Sequence, residues 1–285
     1  MTTPARAACV IGWPIEHSRS PLIHNYWLKT YRIPGEYRRE AVPPDQFRAF
    51  VESLAARGYV GANVTVPHKE AALAASQPDD RARAVGAANT LWLDNNVLRS
   101  TNSDVEGFLD NLDACAPGWD RGQGKAVVLG AGGAARAVVY ALLDRGVDRV
   151  VVANRTERRA EALHQRFGAR VHPVRWDERN ATLDDAALVV NTTTLGMAGQ
   201  PELALDVGRL PSHALVAELV YMPLVTPLLR SARGRELRTA DGLGMLMHQA
   251  MRGFMLWFGK KPEVTAELRA LLETDLFLPQ TKPSE

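Results

Sequence analysis

KAVVLGAGGAARAVVYALLDRG, residues 125–146, is the stretch whose reading decides the fold. Its apolar run Ala126–Leu129 has the length and branching of a buried strand, and it enters Gly130-Ala131-Gly132-Gly133-Ala134-Ala135 without a break. The alanine-, valine- and leucine-rich segment that follows reads as a helix, so the glycines occupy a strand–turn–helix junction. Each small residue there has a reason. Gly130 permits the tight turn, Gly132 lets a pyrophosphate approach the backbone, and Ala135 keeps helix and strand close. The free amides at the helix N-terminus then meet phosphate charge. This spacing in this context is a dinucleotide-binding turn, the first unit of a Rossmann-type parallel sheet.

Moving outward, VVVAN (150–154) gives the second strand, ending about twenty residues beyond the glycines, where an NAD site carries Asp or Glu for the ribose 2′-hydroxyl. This chain has Asn154-Arg155-Thr156 there, with Arg158 and Arg159 beyond. A carboxylate repels a 2′-phosphate, whereas a guanidinium binds one bidentately, so the residues favour NADP over NAD. For Arg158 and Arg159 an ordinary solvated helix surface is an equal reading. Apolar strands in ALVVNTTT (187–194) and ALVAELVY (214–221) continue the unit.

The first hundred residues also alternate. ARAACVIG reads as a strand, Ser20 to Tyr31 as a helix with Pro21 in its first turn, and GEYRREAV as a strand. DQFRAFVESLAARG reads as a helix with Asp45 as its N-cap. A strand in GANVTV, a helix from about His68 and two strands between Asn89 and Ser100 follow. Residues 104–117 read as a helix, closed by Pro117 and the glycine-rich loop GWDRGQGK, a natural unit boundary. From Asp241 the pattern changes to long helices, DGLGMLMHQAMRGFMLWFG and PEVTAELRALLETD, whose packing partners periodicity does not reveal. QTKPSE reads as a frayed tail. The expectation is an α/β protein of two α/β domains, one of them Rossmann-type.

Bulk properties exclude several classes. The 285 residues suit about two domains. A net charge of +2 with mixed signs argues against nucleic acid or an anionic membrane as partner. No apolar run reaches the roughly 18 residues of a membrane span, and the N-terminus lacks the apolar core of a signal peptide. Cys9 and Cys115 lack metal-ligand spacing and lie in apolar contexts, which suggests buried reduced thiols and a cytoplasmic protein. No cluster suggests a metal site.

Polar segments interrupt the first half where a plain core would not have them: GWPIEHSRSP (12–21), NVTVPHK (63–69), Asn89-Thr90 and STNSD (100–104). Strand C-terminal ends are where open α/β sheets bind ligands, so these segments could converge on one cleft. Ser18 and Ser20 could equally cap the helix after them. Reducing a ketone by hydride makes an alkoxide that needs a proton, and Lys69 is the best-placed proton carrier in these segments. Asp104 could orient it. His17 and His68 could titrate instead, although structural or surface roles suit each better.

These residues resemble the shikimate dehydrogenase family along nearly the whole chain, motif by motif and in order. GWPIEHSRSPLIHN resembles the family's opening motif, which implies that Ser18 and Ser20 hold a substrate carboxylate. NVTVPHKE resembles the catalytic-lysine segment and implies Thr65 and Lys69. AANTL and STNSDVEGF imply Asn89 and Asp104, the lysine's partner. GAGGAAR resembles the pyrophosphate loop, with Gly130, Ala131, Gly132, Gly133, Ala134 and Ala135. NRT resembles the 2′-phosphate clamp at Asn154, Arg155 and Thr156. NTTTLGM implies Thr192, Thr194 and Met197 near the nicotinamide, and LVYMPLVTPLL implies Leu219 there and Tyr221 in the cleft. DGLGMLMHQA implies Gly242 and Met245 beside cofactor and Gln249 beside substrate hydroxyls.

The resemblance implies a substrate domain of residues 1–104 completed by helices 242–285, and an NADP domain of 105–241. It implies NADPH-dependent reduction of 3-dehydroshikimate to shikimate in aromatic amino acid biosynthesis, a small-molecule substrate, and a monomer or homodimer; two domains joined at a cleft further suggest opening and closing around substrate. Two departures stand out: the family's Asn-Thr-Asp-Gly is here Asn102-Ser103-Asp104-Val105. Ser103 keeps a hydroxyl, while Val105 offers less backbone freedom. Rival readings are a dual quinate/shikimate enzyme, an aminoshikimate-type paralogue, and a non-catalytic NADP sensor, which the presence of Lys69 and Asp104 opposes.

Overall fold

The computed structural model describes residues 6–121 and 124–277. Two six-stranded sheets form the frame. The first comprises β1 (Arg6–Gly12), β2 (Gly35–Ala41), β3 (Tyr59–Val64), β4 (Gln77–Pro78), β5 (Thr90–Asp94) and β6 (Val97–Thr101). Its order is β2-β1-β3-β5-β6-β4, with β2, β1 and β3 parallel and the β3–β5–β6 pairings antiparallel. Helices α1 (Ser20–Thr30), α2 (Phe47–Glu52), α3 (Lys69–Ala74) and α4 (Asp80–Val85) connect these strands, and α5 (Ser103–Cys115) leaves the sheet.

The second sheet is wholly parallel. Its elements are β7 (Lys125–Leu129), α6 (Gly133–Asp144), β8 (Val150–Asn154), α7 (Glu157–Phe167), β9 (Val171–Arg175), β10 (Ala186–Asn191), β11 (Leu215–Glu218), α8 (Pro227–Gly234) and β12 (Arg238–Ala240). The order β12-β11-β10-β7-β8-β9 reverses direction between β7 and β10, the switch point at which such sheets bind dinucleotides. The near-continuous valines of β7, β8 and β10 match a sheet covered on both faces, as the expected Rossmann-type unit requires.

The chain ends in α9 (Gly242–Phe258) and α10 (Ala266–Phe277). Both return to the first sheet: Met247, Phe254, Trp257 and Leu272 share a buried cluster with Ala8, Val10, Ile23 and Trp27. Phe254 is fully buried there, worth about 2–3 kcal/mol of transfer free energy. The indole of Trp257 donates to the Leu91 carbonyl at 2.8 Å and that of Trp27 to the Glu263 carbonyl at 2.9 Å, so neither buried N–H is stranded. Helices α5 and α9 press together where Gly107 meets the Gln249 backbone. A Cβ at Gly107 would lie 2.6 Å from the Gln249 amide nitrogen, so only hydrogen fits. Among the described residues no helix is long and apolar enough to cross a membrane.

Several local expectations need correction. Asp45 does not cap a helix: Pro43 and Pro44 start a 3₁₀ turn over Pro44–Gln46, which places Asp45 inside it, and α2 begins only at Phe47. The last helix starts at Ala266 rather than 262, because Thr265 accepts from the Leu268 amide with its hydroxyl. Cys9 is buried as expected, but Cys115 is exposed, since the final turn of α5 faces solvent; both thiols are free. The short elements β4, α4 and β12 carry too few residues for a periodic signal. The tail 280–285 and residues 122–123 of the loop GWDRGQGK lie outside the described residues.

Candidate active site

The C-terminal ends of β1 and β3 and the N-terminal end of the antiparallel β5 open onto a cleft of about 370 Å³ between the two sheets. All eight residues expected around a substrate line it: Ser18, Ser20, Thr65, Lys69, Asn89, Asp104, Tyr221 and Gln249. Lys69 is the first residue of α3, and Asp104 lies in the first turn of α5. Their side chains meet at 2.6 Å between Nζ and Oδ2, with the carboxylate 7% and the lysine 23% exposed. The other carboxylate oxygen accepts from Asn89 Nδ2 at 2.8 Å, and the same amide reaches Gln249 Oε1 at 3.4 Å. A lysine held by a buried carboxylate, itself held by an amide, has the fixed position that proton transfer into the cleft would require.

The backbone supports this arrangement. Asn102 Oδ1 accepts from the Asp104 amide at 3.1 Å and caps α5, while its Nδ2 donates to the Ala87 carbonyl. Both departures from the family pattern are absorbed here. The Ser103 hydroxyl lies 3.0 Å from Thr90 Oγ1, and the Ser103 amide donates to Asn89 Oδ1 at 2.7 Å. Val105 lies within α5 in ordinary helical backbone and is buried in the core of the second sheet, where a valine gains packing and no special conformation is needed.

Ser18 and Ser20 stand before and at the start of α1. Ser18 Oγ accepts from the Ser20 amide at 3.3 Å, a local turn rather than a helix cap, because the cap position is Arg19 and makes no side-chain cap bond. Arg39 fixes the loop by donating twice to the Ser18 carbonyl, at 2.7 and 3.0 Å. His17 borders the cleft. His68 does not: it stacks on Phe47 with ring centroids 4.6 Å apart, and its Nε2 lies 2.7 Å from the Val42 carbonyl. Burial lowers its pKa, as suits a neutral structural imidazole.

The cofactor-side residues fall into separate places. Ala134, Leu219, Gly242 and Met245 line the cleft itself. Gly130 has φ of +106°, and a Cβ on it would lie 2.7 Å from Thr192 Oγ1, so this turn requires glycine twice over. A Cβ at Gly132 or Gly133 would meet nothing within 4 Å, and the N-terminus of α6 carries no side-chain cap. Ala131 and Ala135 are buried beneath this bare helix end. Open space above uncapped amides is what a pyrophosphate needs, so the residues fit a dinucleotide.

At the end of β8, Asn154 Nδ2 donates to the Thr156 carbonyl at 2.9 Å and shapes the turn. Arg155, Arg158 and Arg159 are exposed beside it. Among the described residues none of the three makes an ion pair, which leaves an uncompensated positive patch of the kind a 2′-phosphate neutralises. Thr192, Thr194 and Met197 follow β10 outside the cleft lining; Thr192 is tied to the Leu129 carbonyl at 2.7 Å, and Met197 is 37% exposed.

Two further cleft residues lie within the polar segments of the sequence but carry little individual signal there. Asn63 lies on its wall, accepting from Tyr37 Oη at 2.7 Å and donating to the Asn89 carbonyl at 3.2 Å. Its only signal was a polar residue ending an apolar strand. Arg19, also on the wall, is 6% exposed, with Nε 2.5 Å from the Asp275 carboxylate of α10. A contact 256 residues away along the chain leaves no local trace.

Glu218, at the end of β11, is 1% exposed and its pKa is raised from 4.5 to about 7, chiefly by burial. Below about pH 4.5 the group is protonated in folded and unfolded chains alike. Between there and about pH 7 only the unfolded chain ionises freely, so stability falls as pH rises through this window. The loss is about 3 kcal/mol by linkage. Urea melts at pH 5 and pH 8 are expected to show this fall in the wild type and less of it in Glu218→Gln. An equal pH slope in both proteins refutes the assignment.

A doubly wound parallel sheet opening a bare glycine turn toward a cleft with a lysine–carboxylate pair defines a two-domain dinucleotide-binding protein of α/β class. Comparison with known proteins narrows this. Residues 10–91 match the family described as "Shikimate dehydrogenase substrate binding domain", and residues 119–197 match "Shikimate / quinate 5-dehydrogenase". A shikimate dehydrogenase (NADP(+)) of Rhodopseudomonas palustris strain HaA2 is 66% identical over 270 residues, covering 95% of this chain and 96% of its own. The structure of shikimate 5-dehydrogenase from Thermus thermophilus, in complex with NADP(H) and shikimate, superposes with a TM-score of 0.82 at 34% identity, covering 95% of this chain and 98% of that one. Quinate dehydrogenase from Corynebacterium glutamicum, in complex with NAD, has a TM-score of 0.86 at 30% identity, covering 96% and 99%. The chain belongs to the shikimate dehydrogenase family.

Proposed function

We propose that this chain catalyses the reversible, NADP-dependent reduction of 3-dehydroshikimate to shikimate, a step toward aromatic amino acids. The observation that carries the reading is the Lys69–Asp104 pair, 2.6 Å apart in a cleft lined by Ser18, Ser20, Thr65, Asn89 and Gln249. The activity and cofactor of the relatives agree with it. When bound, NADPH supplies the hydride that reduces the C3 carbonyl. Lys69 donates a proton to the oxygen left by that reduction and takes it back in the reverse direction. Asp104 holds the ammonium in place and, with Thr65, Asn89 and Gln249, accepts or donates at the ring hydroxyls. Ser18 and Ser20 hold the carboxylate as neutral donors, and Tyr221 closes the cleft wall.

Gly130 to Ala135 would hold the pyrophosphate at the α6 N-terminus, and Asn154, Arg155 and Thr156 the 2′-phosphate. Thr192, Thr194, Met197, Leu219, Gly242 and Met245 would bound the nicotinamide. Residues 1–104 with 242–285 form the substrate domain and 105–241 the cofactor domain in this reading; the packing of α9 and α10 on the first sheet supports it. A cleft between two sheets suits closure around substrate. Free thiols at Cys9 and Cys115 suit a reducing cytoplasm.

The test is spectrophotometric oxidation of shikimate with NADP and with NAD, run beside quinate. Strong preference for shikimate with NADP upholds the reading. Comparable turnover of quinate, or preference for NAD, transfers the chain to the dual-specificity branch, and no turnover with any pair leaves a cofactor-binding sensor.

A further inference from the structure

Glu218 plays no part in the chemistry described above, yet it is buried among donors on both of its carboxylate oxygens. Its Oε1 accepts from Asn191 Nδ2 at 2.9 Å and from the Val220 amide at 3.0 Å. Its Oε2 accepts from Asn191 Nδ2 at 3.1 Å and from Thr226 Oγ1 at 3.1 Å. Every partner is a donor. A carboxylate, with acceptor capacity on both oxygens and no hydrogen of its own, is the side chain that satisfies them all. Among the described residues its hydrogen-bond partners include no cation. Such a group costs free energy to bury, and a plain core would hold an apolar residue there.

The partners show what is obtained in return. Asn191 Oδ1 accepts from the amide and hydroxyl of Thr193, at 3.0 and 2.7 Å, and so shapes the loop 192–197. Val220 lies between Leu219 and Tyr221, both of which line the cleft, and Thr226 ends the loop that follows them. The first turn of α9 rests on that segment with no slack, since a Cβ on Gly242 would lie 2.6 Å from the Leu219 carbonyl carbon. One buried carboxylate thus ties the end of β10 to the end of β11 and to the start of α8.

We propose that Glu218 is a positioning residue: by binding Asn191, Val220 and Thr226 it sets the cleft wall formed by 192–197 and 219–221, the nicotinamide end of the site. This rests on the function proposed above. It acts through backbone geometry and touches neither substrate nor cofactor. Glu218→Gln keeps the shape but turns an amide N–H₂ toward donors, so one contact becomes repulsive and the wall shifts.

The experiment compares wild type, Glu218→Gln, Glu218→Asp and Thr226→Val by the fluorescence of bound NADPH, its dissociation constant, and kcat against KM. In Glu218→Gln the nicotinamide emission moves toward that of free NADPH and kcat falls about tenfold or more. The NADPH dissociation constant stays within about threefold, because the phosphates are held elsewhere. Glu218→Asp, which retains two acceptor oxygens, recovers part of both signals. A folded Glu218→Gln with wild-type emission and kcat overturns the proposal, whatever its melting temperature. Should that variant not fold, Thr226→Val decides: a smaller shift in the same direction supports the role, and unchanged emission and kcat overturn it. The emission needs no turnover, so failure of the shikimate assignment and failure of this proposal remain distinguishable.

Discussion

Lys69→Ala is expected to lower shikimate oxidation by about 10²–10⁴-fold, the range for loss of a positioned proton carrier. Among the described residues the lysine is the one cation paired with Asp104, at 2.6 Å. NADP affinity should change by no more than a few fold, because the glycine turn and Arg155 lie on the other sheet. Truncation has a structural side effect as well. It leaves Asp104, 7% exposed, with Asn89 but without its countercharge, and the fold should weaken. The double variant Lys69→Met/Asp104→Asn separates the two effects. Its thermal stability should recover toward wild type, while turnover stays lost. A Lys69→Ala enzyme with more than about a tenth of wild-type kcat would remove the lysine from the chemistry.

Arg155→Ala carries the second large effect. The guanidinium stands exposed after β8, among the described residues without a carboxylate partner, beside the turn that Asn154 shapes. A bidentate contact between arginine and a 2′-phosphate is among the stronger charge-assisted hydrogen bonds, and losing one costs about 10–100-fold in affinity. The KM for NADP should therefore rise by about 10–100-fold, with kcat nearly unchanged. Activity with NAD, which has no 2′-phosphate, should not fall. The effect should shrink as salt is raised, because the contact is solvent-exposed. Equal losses with NADP and NAD would mean that Arg155 acts on the fold or on the shared part of the cofactor.

Much of this protein is legible locally. The glycine turn at 130–135 can be read from spacing alone, because positive φ at Gly130 and the bare helix end at Gly132–Gly133 are properties of the residues themselves. Long apolar strands and the long helix α9 declare their periods, and Asp241 and Gly259 mark the ends of α9 as cap chemistry predicts. Short elements are another matter. β4 has two residues and β12 three, too few for any period, and they exist because neighbouring strands offer edges to pair with. The expected Asp45 cap failed for a related reason: the two prolines before it set the backbone, and a cap residue works only where the backbone leaves amides free.

By itself the sequence determined the sheet type and the glycine turn with its helix, and it offered Lys69 and Arg155 as candidates for the proton carrier and the 2′-phosphate contact. These depend on side-chain chemistry and on backbone preferences within a few residues. The contacts themselves were decided by the tertiary structure. Lys69 finds Asp104 across 35 residues, and Asn89 finds Gln249 across 160. Arg19 needs α10, and Gly107 is required only because Gln249 lies against it. Glu218 reads as one charge in an apolar strand until the donors of Asn191, Val220 and Thr226 converge on it. The physical reason is common to all of them: the free energy of a polar group depends on the partners and burial it acquires in three dimensions, and neither is written in its neighbours along the chain.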